Sequence, residues 1–347
     1  MNRWGEKRYH SMDYDLKQLY GEKVYKITLN GGMTCPNRDG HCGKNGCIFC
    51  SEKGSGEHIA RINGNADILH NLSNIDSAIL NSTNFINTNL THITTNSAYI
   101  NQVCNSISSQ VKNYFQSYKS ERANKFIAYF QNFTNTYDSI KNLRLKYNSA
   151  LIDSRIVGLE IATRPDCINE EVLDLIEEMN KKVYTWVELG LQTIHDKTAE
   201  SFNRGYNLET FDKSMEMLKK RNIDTVVHCI FGLPKETKKE MLQTVDYIAH
   251  SGAKGIKFHL LHLMKNTNMV KDYENGNLKF LSKEEYIDLV CEGVSRIPQD
   301  MIVHRLTGDA PRNLLIGPMW SLNKWEVLNA IDKTLEDNDI YQGKNFK

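Results

Sequence analysis

The chain has 347 residues, enough for two domains of roughly 150 residues or for one large α/β barrel. With 40% hydrophobic residues, 24% charged and six prolines, it is neither collagen-like nor wholly disordered. Lys plus Arg number 43 against 42 Asp plus Glu; the net charge of +1 gives no global field for nucleic acid or anionic lipid, so an RNA partner must be held by local groups.

The opening residues, MNRWGEKRYHSMDYDLKQLY, carry charges throughout, and no stretch approaches the roughly 18 apolar residues of a spanning helix. A cytoplasmic protein with no membrane attachment is expected. In a reducing compartment eight cysteines do not read as a disulfide framework. Four are scattered, while Cys35, Cys42, Cys47 and Cys50 fall in one short segment.

A first strand is expected over Lys23–Asn30, leading into CPNRDGHCGKNGCIFC. Gly40, Gly43 and Gly46 let this segment turn tightly and bring N–H groups near bound sulfur. Four thiols fit a structural zinc site, yet zinc ribbons pair two C-x2-C knuckles and only Cys47 and Cys50 form one. A redox C-x-x-C pair leaves Cys35 and Cys42 without a role. The third reading is an iron–sulfur cluster at the mouth of an α/β barrel.

Residues 62–118 break the pattern. Ten of the 39 residues from Asn63 to Asn101 are Asn and no Lys or Arg lies between Arg61 and Lys112, which suggests an inserted, loop-like and flexible segment. From Lys125 onward, short β-branched and aromatic runs alternate with helical periodicity. The strands expected are Lys125–Gln131, Ile156–Thr163, Val183–Gln192, Thr225–Leu233 and Gly255–Leu263. Between them, Asn169 caps a helix bearing Val172, Leu173, Ile176 and Met179 on one face, followed by helices over Leu208–Asn222 and Lys235–Ser251. Six parallel strands with right-handed crossovers can curl into a complete or incomplete barrel, its active site at the C-terminal strand ends. Residues 1–270 form this core. Residues 271–347 read as an extension packed on it, with a capping box at Ser282 and Glu285, a possible strand at Met301–Thr307 and a last helix over Leu322–Leu335.

In VYTWVELGLQT, alternation sends Val187, Leu189 and Leu191 to one face and Trp186, Glu188, Gly190 and Gln192 to the other. A carboxylate and an amide inside a barrel imply a wet or ligand-filled interior; the alternative is an edge strand with its polar face in solvent.

The cysteine spacing Cys35-x11-Cys47-x2-Cys50, with Phe49 inside C-I-F-C, resembles the cluster loop of radical S-adenosylmethionine (radical SAM) enzymes. The resemblance is closest to the YtqA/YhcC-type family and extends more remotely to the catalytic subunit of Elongator. It continues through CPNRDG, AYFQNFTNT, TRPDC, WVELGLQT, FGLP, HLLHL, HRLTGD and GPMWSLNKWEVLNAID, so it spans nearly the whole chain except the Asn-rich stretch. It implies a partial (β/α)6 barrel in which Cys35, Cys47 and Cys50 hold a [4Fe–4S] cluster whose fourth iron stays open for S-adenosylmethionine (SAM). Reductive cleavage of SAM there would release a 5′-deoxyadenosyl radical. Cys42 is a departure, because as a fourth ligand it would close that iron; it is taken as a non-ligand. Matching motifs put Gln131, Thr134 and Asn135 near the methionine amino group, Glu188 and Gln192 near the ribose and methionyl end, and Phe231 and Gly232 beside adenine. Gln131 and Asn135 equally fit the capping of a strand end, and FGLP fits plain turn chemistry.

Candidate substrate groups are Arg164, Asp166, His228, His259, His304, Arg305 and Asp309, at or near expected strand ends. Arg164 and Arg305 suit bidentate contacts to carboxylate or phosphate, or salt bridges to Asp166 and Asp309. His259 and His262 are three apart on a strand and are expected to face opposite sides. Kinship to Elongator suggests a tRNA partner, a 5-substituted wobble uridine as substrate, transferase- or lyase-like chemistry such as trimming carboxymethylaminomethyl toward aminomethyl, and a flavodoxin or ferredoxin-type electron donor. The rival readings are a zinc-stabilised RNA-binding module and a non-catalytic iron–sulfur protein.

Overall fold

The computed structural model describes residues 3–44, 46–51, 53, 54, 59 and 97–347. Helix α1 (Met12–Tyr20) is capped by the Ser11 side chain, which accepts from the Tyr14 N–H, and ends on Gly21 in the left-handed conformation (φ 74°). Six strands follow: β1 (Val24–Leu29), β2 (Lys125–Phe130), β3 (Ile156–Thr163), β4 (Tyr184–Gln192), β5 (Thr225–Phe231) and β6 (Gly255–Leu260). All pair parallel with their sequence neighbours. The short β7 (Leu263–Met264) breaks off from β6 to pair antiparallel with β9 (Leu315–Gly317). The C-terminal stretch returns a seventh strand to the main sheet, β8 (Ile302–Arg305), parallel to β6. The result is an α/β fold with a curled parallel sheet in the order β1-β2-β3-β4-β5-β6-β8.

Strand alternation decides what lies inside the curl. Ile27, Leu29, Phe126, Ala128, Phe130, Leu159, Ile161, Val187, Leu189, Val227, Cys229, Ile256 and Phe258 face outward into the main core under the helices. Val24, Ile127, Trp186 and Val226 face inward and pack on Leu16 of α1, which closes the N-terminal end of the curl. β4 lies in the middle of the sheet, so the edge-strand alternative falls.

The segment expected as a loop over 62–118 departs from that reading where it is described. Residues 97–115 form helix α2 (Ser97–Phe115), whose buried Ile100, Val103, Ile107 and Val111 make a stripe at helical spacing. Asn-rich composition hid it, because the apolar positions are few although regularly placed. Its Gln110 side chain accepts from the Asn30 N–H (2.9 Å) and donates to the Asn30 carbonyl (3.1 Å), pinning the exit of β1 that leads to the cysteines. The part of the segment before residue 97 lies outside the described residues. Further helices cover the outer face: α3 (Ile140–Ala150), α4 (Glu170–Asn180), the short α5 (Asp196–Ser201), α6 (Leu208–Lys220) and α7 (Lys238–His250). Asn169 caps α4 by accepting from the Val172 N–H, and Ser282 with Glu285 closes the capping box of the next long helix, α8 (Lys283–Arg296). The last helix is α9 (Lys324–Asp337). No helix among the described residues is long and apolar enough to cross a membrane.

Candidate functional site at the C-terminal mouth of the sheet

Two residues further along each strand, the inward face turns polar. Lys26, Tyr129, Glu160, Glu188, His228, Lys257 and His304 come from seven different strands and form a belt above the apolar floor. Glu160 is fully buried, with Lys26 Nζ 2.5 Å from one oxygen and Lys257 Nζ 2.9 Å from the other. Glu188 meets Lys257 and His228 and accepts from the Tyr129 hydroxyl at 2.9 Å. Burial would raise the Glu160 carboxyl, but the two ammoniums outweigh it and hold it well below the ordinary carboxylate value. Burial drives both Lys26 and Lys257 below the usual lysine value, with Glu160 opposing. Burial, reinforced by Arg305, pushes His228 down to about 3 and His259 well below its ordinary 6.5, so both rings are neutral at physiological pH.

Above the belt opens a cavity of about 810 Å³. Its rim on the β1 side is the cysteine loop. Asn37, wholly buried, donates to the Asn203 carbonyl (2.5 Å) and lies 3.8 Å from Cys47 Sγ; Asn203 donates in turn to the Gly46 carbonyl (2.8 Å). Turn bonds from Arg38 N–H to Cys35 C=O (2.8 Å) and from Cys50 N–H to Cys47 C=O (2.9 Å) shape the two ends of the loop. Glycine is required at 43: a Cβ there would lie 2.3 Å from Asn37 Oδ1. Cys35, Cys47 and Cys50 are half-buried and line the cavity, whereas Cys42 is exposed and does not.

These residues fit an iron–sulfur cluster. A cube of iron and sulfide puts its own bulk between its thiolates, so three cysteines spread around one cavity suit it. Beside them Thr134 is fully buried, lines the cavity and has no hydrogen-bond partner for its hydroxyl, an orphan suited to a polar ligand.

Of the sequence-derived candidates, Phe49, Gln131, Thr134, Glu188 and Gln192 line the cavity, as do Arg164, His228, His259, His304, Arg305 and Asp309. Four lie elsewhere. Asn135 is wholly buried and donates to the Asn132 and Ala162 carbonyls, the strand-end capping that the sequence left open. Phe231 points into the core against Phe258 and Tyr286, and Gly232 adopts a left-handed turn (φ 87°) off the cavity. Asp166 makes a bidentate bridge to Arg164 (2.9 and 2.6 Å). His259 and His262 both face the cavity with ring centroids 5.9 Å apart, contrary to strand alternation, because β6 ends at Leu260 before His262.

Several cavity residues escaped the sequence. Lys26, Tyr129 and Lys257 were readable from alternation, since each flanks outward apolar neighbours in its strand. Arg204 left no such signal: 1% exposed, it donates to the Leu191 and Thr193 carbonyls (2.8 and 2.6 Å), fixing the turn that follows β4. Behind it Tyr206 lies under both the Arg164 and Arg204 guanidiniums, 4.9 and 4.6 Å from ring centroid.

Comparison with known proteins agrees with this architecture. Residues 107–248 match the radical SAM superfamily and residues 253–337 the radical SAM C-terminal domain. The uncharacterized protein YtqA of Bacillus subtilis is 42% identical over 342 residues, covering 99% of this chain and 94% of that one. A tRNA uridine(34) acetyltransferase of Methanocaldococcus jannaschii is 26% identical over 183 residues, covering 51% of this chain and 32% of its own. The solved Elp3 of Methanocaldococcus infernus shares the fold with a TM-score of 0.59 at 17% identity, covering 68% of this chain and 59% of that one. Members of the superfamily use a [4Fe–4S] cluster and SAM. A match running almost end to end, over a half-barrel whose mouth gathers three cysteines, makes this chain a radical SAM enzyme of the YtqA/YhcC family.

Proposed function

We propose that this enzyme modifies tRNA at a 5-substituted wobble uridine, trimming a carboxymethylaminomethyl group toward aminomethyl. The observation that carries the reading is the shared cavity: Cys35, Cys47 and Cys50 open onto the same space as the ionised belt and the basic wall at β8. Its volume falls within the roughly 300–1,000 Å³ typical of ligand clefts. Cys35, Cys47 and Cys50 would hold the cluster, and Thr134, Gln131, Glu188 and Gln192 offer polar groups to SAM. Bound there, cluster and SAM supply a 5′-deoxyadenosyl radical. The chain's own contribution is to seal the floor with α1, hold the belt in one charge state and present Arg305 to the substrate. Similarity over half the chain to a tRNA uridine(34) acetyltransferase supports the choice of RNA. A flavodoxin or ferredoxin-type protein is the proposed electron donor.

Two measurements test this. Protein reconstituted without oxygen should form 5′-deoxyadenosine from SAM under reduction, read by mass spectrometry. Nucleosides of tRNA from cells with and without the protein should differ at the wobble uridine; an unchanged profile would remove the tRNA assignment while leaving the cofactor chemistry in place.

A further inference from the structure

The β6–β8 pairing is irregular at one point. Ile256 pairs with Val303 but Lys257 pairs with Arg305, so His304 is an extra residue and the strand bulges there. Regular alternation would send His304 and Arg305 to opposite faces; with the bulge both line the cavity. The wall that results carries a charge excess. Glu160 and Glu188 balance Lys26 and Lys257, Asp166 balances Arg164, and Asp196 balances Arg204 at 3.0 Å. Among the described residues, Asp309 faces both remaining cations of the wall, 2.7 Å from Lys324 Nζ and 3.5 Å from Arg305 Nη2. The Arg305 guanidinium, about a third exposed with the Asp309 carboxylate at 3.5 Å, is held more loosely than the Lys324 ammonium, and His228 and His259, both close enough to feel its charge and both neutral, add polar ring edges without a competing charge.

We propose that Arg305 is a specificity-determining residue that binds a carboxylate on the side chain of the modified nucleoside; this rests on the function proposed above. A guanidinium re-aimed by a bulge offers the planar fork that a carboxylate accepts bidentately. A substrate ending in an amine meets the same cation with repulsion, so the wall distinguishes the carboxymethylaminomethyl form from its aminomethyl product and releases the latter.

The full chain should bind an anticodon stem–loop RNA carrying the carboxymethylaminomethyl uridine about tenfold or more tightly than the aminomethyl RNA in fluorescence anisotropy. Arg305→Gln should erase that difference and Arg305→Lys should retain part of it. Equal weakening of both RNAs by Arg305→Gln would mean a backbone phosphate contact and overturn the proposal, as would equal affinities in the unaltered protein. A measurement without a variant or RNA separates this from the tRNA reading: the free carboxymethylaminomethyl nucleoside should shield Arg305 from phenylglyoxal, by peptide mass spectrometry, and the aminomethyl nucleoside should not. Shielding without RNA binding would leave the carboxylate site standing and remove tRNA as its bearer; no shielding with RNA binding would do the reverse.

Discussion

Glu160 is fully buried between Lys26 and Lys257 inside the curl, and a neutral amide there would leave Lys26 without this carboxylate and Lys257 with Glu188 alone. Breaking a buried pair of this kind costs about 3–5 kcal/mol, so Glu160→Gln should lower the urea-unfolding free energy at neutral pH by that order. The pH dependence follows in sign. The Glu160 carboxyl is held well below its ordinary 4.5, so its stabilisation is present above that value and drains away as the pH falls below it. His228 is pushed down to about 3 from 6.5; between those values the unfolded chain binds a proton that the fold refuses, and stability again falls with acidification. His228→Gln should make the fall in unfolding free energy between pH 6.5 and 3 shallower by one proton's share, the other buried histidines keeping the rest, whereas Glu160→Gln should make it shallower only below about 4.5. Among the cysteines, replacing Cys35, Cys47 or Cys50 with Ala should abolish 5′-deoxyadenosine formation and Cys42→Ala should preserve it, because the exposed Cys42 does not face the cavity.

Elements place these residues, and two of them act from outside the sheet. α1 plugs the N-terminal end with Leu16 against Trp186, Val24 and Val226, so Leu16→Ala should cost about 2–5 kcal/mol in urea unfolding while the cysteine loop at the other end keeps binding iron. α2 ties β1's exit through Gln110, so Gln110→Ala should slow cluster assembly, read as iron bound per chain, more than it lowers stability. Most of the strands were legible in the sequence because parallel strands buried on one face show dense β-branched and aromatic runs. β8 was legible only as a possibility, since four residues carry little periodicity. Glu188 was readable as inward because its neighbours in β4 alternate cleanly. Its partners Lys257 and His228 were not readable as partners, for they reach it only through register between strands far apart in sequence. The bulge that turns Arg305 inward is likewise a property of pairing, and no residue in HRLTGD announces it.

At the scale of the molecule, a half-barrel closed below by α1 and open above leaves a polar-lined chamber with two chemically distinct walls. One wall carries sulfur and the orphan hydroxyl of Thr134; the other carries the cations of β8 and α9. The belt between them pairs Glu160 and Glu188 with Lys26 and Lys257, so its carboxylates and ammoniums offset one another. Such a division lets one ligand be held for electron transfer while another is recognised by charge. It would require three thiolates and a fourth iron left open, as proposed for Cys35, Cys47 and Cys50. Mössbauer spectroscopy of anoxically reconstituted protein, with and without SAM, addresses this directly, in the unaltered chain and in Cys42→Ala. One iron of the cluster should change its isomer shift when SAM is added, in both proteins. Four irons indifferent to SAM, or a cluster that forms only when Cys42 is present, would contradict the account.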